Sequence, residues 1–158
     1  MNTVANLLKL DKTDLDAKKK TFEIEIPRIS NLLHKKGIDE KFYITCETVD
    51  FDTLYDYEND IYELEDNKIK LNKNAMYKKG LEICSISIID PKYDDKDLIN
   101  FLGINMKQPN AELVWKKLFV KGEIANISQK IIDYSRTVLG NEEDNIKKLD
   151  NERKKIKN

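Results

Sequence analysis

The sequence predicts an α+β fold, with a small antiparallel β element in the N-terminal half and a predominantly α-helical C-terminal half. Three observations carry this reading. In TFEIEIPRI (21–29), Phe22, Ile24 and Ile26 alternate with Glu23 and Glu25, the period of a half-buried strand. Between 118 and 139, Ile124, Ile127, Ile131, Ile132, Val138 and Leu139 recur at helical spacing, with the small Ser128 and Ser135 on the same face. Finally, 158 residues that are 40% hydrophobic and 36% charged suffice for one core flanked by long polar segments. We therefore expect an N-terminal arm (1–20), a single domain (21–140) and a charged tail (141–158).

Taken in order, the arm begins with a short apolar patch, Val4, Leu7, Leu8 and Leu10, and ends in the polar run Asp14 to Lys20. It is expected to be a short docking helix or a loose arm, and not a signal peptide, because acids follow the apolar run at once. Pro27 ends the first strand or marks an edge. SNLLHKKGIDE, with Gly37, reads as a connection to a second strand, KFYITCETVD (41–50), rich in β-branched and aromatic residues. The two strands are expected to pair as an antiparallel hairpin with a long loop. FDTLYDYEND (51–60) reads as a short acidic helix, and IYELEDNKIKLN (61–72) as a hairpin turning at Asp66-Asn67. KNAMYKKGLEICSISIID (73–90) stays ambiguous. Met76, Gly80, Ile83 and Ser87 share a helical face, whereas ICSISII is β-branched.

Pro91 closes that segment, since a residue before proline avoids helical geometry. DDKDLINFLG is a short helix capped by Asp94 or Asp95 and ended by Gly103. Pro109 and Asn110 open another helix, carrying Leu113, Val114, Leu118 and Phe119. Glu123 opens the long helix, Gly122 is expected to permit the turn before it, and Gly140 is expected to stop it. The tail holds six basic and five acidic residues and only three large apolar ones, so it can bury little.

Catalytic constellations are absent from the sequence. The single histidine, His34, lies among lysines in a polar stretch and reads as solvated. Cys46 and Cys84 lack metal-ligand spacing and read as reduced, partly buried thiols. No phosphate-cradling glycine loop or nucleophile motif occurs. Residues 39–66 hold eleven acids against one lysine, but the calcium-loop positions for glycine and glutamate fall on Ile61 and Asn67. No enzyme activity, cofactor or metal is therefore expected. A net charge of −1 gives no reason to expect nucleic-acid binding, and no apolar run is long enough to span a membrane. The acidic segment also carries Phe51, Tyr55, Tyr57 and Tyr62, a candidate protein-binding face.

Three stretches together carry a family resemblance: EIEIPRIS (23–30), IIDPKYDDKDLINFLGI (88–104) and NAELVWKKLFVKGEIANISQKIIDYS (110–135). In their order and spacing the chain resembles the tail assembly chaperones of tailed phages and PBSX-like defective prophages, the XkdN-like type. The resemblance implies a small non-catalytic protein of the bacterial host cytoplasm. Such a protein binds the tape-measure protein, keeps its apolar helices from aggregating, helps recruit tail tube protein and is absent from the mature particle. Homo-oligomerisation is left open. The alternative is a structural tail-completion or baseplate component. A holdase needs apolar surface rather than an active site. Trp115, Leu118 and Phe119, at the corner before Gly122, are the candidate docking residues, whereas Ile127, Ile131 and Val138 are expected in the core.

Overall fold

In the computed structural model, residues 3–11, 19–105, 107 and 109–157 are described, with side chains in the last helix described to Leu139. Helix α1 (Thr3–Leu7) is followed by β1 (Thr21–Glu25), α2 (Pro27–Lys35), β2 (Tyr43–Glu47) and α3 (Phe51–Ile61). Strands β3 (Tyr62–Glu65) and β4 (Lys68–Leu71) form a hairpin ahead of α4 (Lys73–Ser87) and β5 (Ile88–Asp90). Helices α5 (Lys96–Phe101), α6 (Ala111–Leu118) and α7 (Lys121–Lys157) complete the chain. The fold is α+β, with most of its strand in the N-terminal half.

One sheet has the order β1-β2-β5 and is antiparallel throughout. Its register places Ile24 opposite Ile44 and Phe22 opposite Cys46, so the alternation read from the sequence becomes one apolar face. Helix α7 lies over that face. Phe22 stacks on Tyr134 with ring centroids 4.2 Å apart, and the Val49 N–H donates to Ser135 Oγ at 3.0 Å. The α7 stripe Ile124, Ile127, Ile131 and Ile132 is buried together with Ser128 and Ser135. Helix α4 packs along α7 through its own small residue. A Cβ built at Gly80 would stand 2.9 Å from Ser128 Oγ, so glycine permits the close approach.

One local reading changes, one ambiguity resolves, and others are met. The stretch 27–35 is a helix rather than a connection: Pro27 sits in its first turn, where its missing N–H is harmless. The 73–90 ambiguity resolves as helix and then strand. Residues 73–87 are helical behind an Asn72 cap, and only 88–90 pair with β2. Asp66 and Asn67 both take positive φ, 50° and 60°, as a tight two-residue hairpin turn demands. Asp95 is the cap of α5, accepting from the Leu98 N–H at 3.0 Å. Gly103 adopts φ +68°, the left-handed conformation expected of a helix stop. The Asp90-Pro91 peptide, at the end of β5, is cis.

Gly140 does not stop the long helix, whose backbone runs on to Lys157. One glycine lowers helix propensity by only about 1 kcal/mol. The sequence beyond it sets Glu143 and Asp144 four residues ahead of Lys147 and Lys148, a spacing that favours helix. Of the arm, Val4, Leu7, Leu8 and Leu10 are exposed, and most of the run Asp14 to Lys20 lies outside the described residues.

Candidate functional site

Among the described residues no three His, Cys, Asp or Glu side chains come together as a metal site. His34 is exposed, 3.7 Å from the equally exposed Asp39. Cys46 and Cys84 are free thiols and fully buried, not partly so. Burial pushes both up to about 12, a contact with Ser87 opposing this at Cys46. Thiols held that high are poor nucleophiles at neutral pH.

The feature that stands out is a groove of about 650 Å³ between α2, the end of α5 and the end of α6. Ile29, Leu32 and Leu33 on α2, Phe101 and Leu102 at the α5 end, and Leu118 on α6 form its apolar lining. Phe101 is 81% exposed, although it sits beside other apolar side chains. Lys35, Lys36 and Lys117 stand around it, and none of them makes an ion pair among the described residues. The size suits a small ligand or a few side chains of a docked segment.

Arg28 fixes this geometry. Its Nε donates to Glu123 Oε1 at 2.7 Å and one Nη to Glu123 Oε2 at 3.1 Å. The same Nη donates to the Leu118 carbonyl at 2.8 Å, and Glu123 Oε2 accepts from the Val120 N–H at 3.0 Å. The fork therefore ties α2 to the α6–α7 corner across 95 residues of sequence. Burial would raise the Glu123 carboxyl, but the Arg28 fork and the Val120 N–H outweigh it and hold the group below its ordinary value. The structural role expected of Glu123 at a helix start is thus realised, with an ion pair added that local sequence could not announce.

Two of the docking candidates are core. Trp115 is 0% exposed and Phe119 is buried, their rings 5.8 Å apart. Helix α6 turns Val114 and Trp115 inward together, and the extended residue Phe119 follows them into the core as the helix ends. Leu118, one position away and half-buried, reaches the groove instead. Gly122 is not required by the turn: a Cβ there would meet open space, and the break between α6 and α7 falls at Phe119, which is extended, and Val120. Ile127 and Ile131 are core, and Val138 is half-buried.

The tyrosine face divides. Tyr57 belongs to the core because it lies on the inward stripe of α3 with Leu54 and Ile61, whereas Phe51, Tyr55 and Tyr62 are exposed. Tyr62 continues into an unexpected surface. Cross-strand pairs Tyr62–Leu71 and Leu64–Ile69 form one face of the β3–β4 hairpin, and Glu63–Lys70 and Glu65–Lys68 form the other. All four apolar members are more than half exposed.

The sequence alone does not single out the groove residues Leu32, Phe101 and the three lysines. Ile29, Leu32 and Leu33 do recur at helical spacing after Pro27, and that was the available signal. No signal connects α2 with α5. Comparison with protein-family models, characterised proteins and solved structures finds no match to this chain.

Proposed function

We propose that the protein is a non-catalytic tail assembly chaperone of the XkdN-like type, and that the α2–α5–α6 groove is where it holds the tape-measure protein. On this reading it works in the cytoplasm of the bacterial host, helps recruit tail tube protein and leaves before the particle is finished. One observation carries the proposal. The three separated stretches on which the resemblance rests converge on a single groove, Arg28 and Ile29 from the first, Phe101 and Leu102 from the second, Lys117 and Leu118 from the third. Exposed apolar surface arranged around a concavity is what a holdase requires. No helix among the described residues is long and apolar enough to cross a membrane, consistent with a protein that works on soluble partners.

The test is co-expression of the tagged chain with the tape-measure and tail tube proteins of its own gene cluster. The tape-measure protein is expected to stay soluble and co-purify with the wild-type chain, to be lost with Phe101→Ser, and the chain is expected to be absent from finished particles. Presence of the chain in purified particles would instead favour a structural tail-completion or baseplate component.

A further inference from the structure

We infer that the groove selects an amphipathic helix whose apolar stripe is flanked by acidic side chains. This rests on the groove being the client site, and adds the charge of the client, which nothing in the resemblance specifies. The lining fixes the apolar half of the match. Leu32, Leu33 and Leu118 offer branched aliphatic surface, and Phe101 projects as an exposed ring that a client side chain can cover. Side chains three and four apart on a client helix are about 5–6 Å from one another, so two successive anchors fit a space of this size.

The rim fixes the charge. Four cations surround the lining, and they are not equivalent. Arg28 is already committed to Glu123 and to the Leu118 carbonyl. Lys35, Lys36 and Lys117 have no acidic partner among the described residues, and no acidic residue lines the groove. Three unpaired lysines around an apolar floor attract a partner carrying carboxylates beside its apolar stripe and repel a basic one. Lys35 lies in the last turn of α2 and Lys36 caps it, the end of a helix where the dipole favours cations.

The probes are two fluorescein-labelled amphipathic peptides of about 18 residues, long enough for several helical turns. They share one leucine stripe, and their flanking positions are glutamate in one and lysine in the other. Anisotropy titration of the full-length chain is expected to show the glutamate peptide binding roughly ten-fold tighter, as three partly exposed ion pairs allow. That preference shrinks several-fold as salt rises from about 0.05 to about 0.5 M. Replacing Lys35, Lys36 and Lys117 together by Gln is expected to remove the preference without moving the urea midpoint, whereas Phe101→Ser weakens both peptides. Equal, salt-insensitive binding of the two peptides overturns the charge selection. Absence of binding by either peptide overturns the helix-acceptor assignment. Concentration-dependent self-association abolished by Phe101→Ser also overturns it, making a second copy the occupant. If the glutamate peptide binds as expected but the tape-measure protein never co-purifies, the acidic-helix specificity stands and the chaperone reading falls.

Discussion

Replacing Trp115 by alanine discriminates between a core and a docking role for this residue. The side chain is fully buried and stacked on Phe119. Its removal loses the transfer free energy of the indole and leaves a cavity between α6 and its neighbours. Large aromatic truncations of this kind cost about 3–5 kcal/mol. Its indole N–H has no hydrogen-bond partner among the described residues, so packing rather than a broken polar contact sets the magnitude. With a urea dependence of about 2 kcal/mol per molar, the unfolding midpoint should fall by roughly 2 M. Since domains of this kind hold about 5–15 kcal/mol, the variant sits near the edge of folding in buffer. Trp115 is the only tryptophan, so the assay is far-UV circular dichroism rather than fluorescence. Trp115→Phe, which keeps a ring against Phe119, should lose much less. A midpoint for Trp115→Ala within about 0.5 M of wild type, on the same urea scale, would refute the core assignment and return the residue to the surface.

Three further outcomes are expected. Gly80→Ala should destabilise through the 2.9 Å approach to Ser128 Oγ, offset by about 1 kcal/mol of helix propensity. Adding Ser128→Ala should recover part of the loss, and a double-mutant cycle showing no coupling would place the strain elsewhere. Cys46 and Cys84, with thiols pushed up to about 12, should resist a thiol reagent at neutral pH and react only after denaturation, so two fast-reacting thiols in the native chain would contradict their burial. Glu123 gives a pH signature. Its carboxyl is held below the ordinary value near 4.5, so the unfolded chain takes up the proton first. The stabilisation is complete above that value and lost as pH falls through the folded one. Wild type should therefore exceed Glu123→Gln in urea midpoint at neutral pH, and the difference should shrink in acid. A pH-independent difference would mean the charge is not what matters at this corner.

The groove explains why the docking residues were hard to place from the chain alone. A helix of eight residues has an apolar face, and Trp115, Leu118 and Phe119 all qualify by type. Which of them meets solvent depends on where α4 and α2 press against that helix. Trp115 and Phe119 went inward, and Leu118 was left at the edge. The tyrosines of α3 behave alike: Tyr55 and Tyr57, two positions apart, point to opposite sides of one helix. Their chemistry is shared, and only the orientation of α3 decides between core and surface.

What the sequence determined by itself was local. Alternation in 21–25 and the β-branched 43–47 produced strands, the isoleucine stripe of 124–132 produced a buried helix face, and Asp66-Asn67 produced the turn. Each follows from backbone preference and from hydrophobic period, which act over a few residues. Two local readings differ from the structure: the connection expected from Ser30 is helical to Lys35, and Gly140 does not stop the long helix, whereas Pro27 ends the strand as expected and opens the next helix as well. The tertiary structure alone decided the rest. Arg28 meets Glu123 across 95 residues, Gly80 admits Ser128, and three lysines gather without acids around an apolar groove. These depend on which faces are brought together, and packing of the whole chain, unlike helix or strand preference, leaves no signature at any one position.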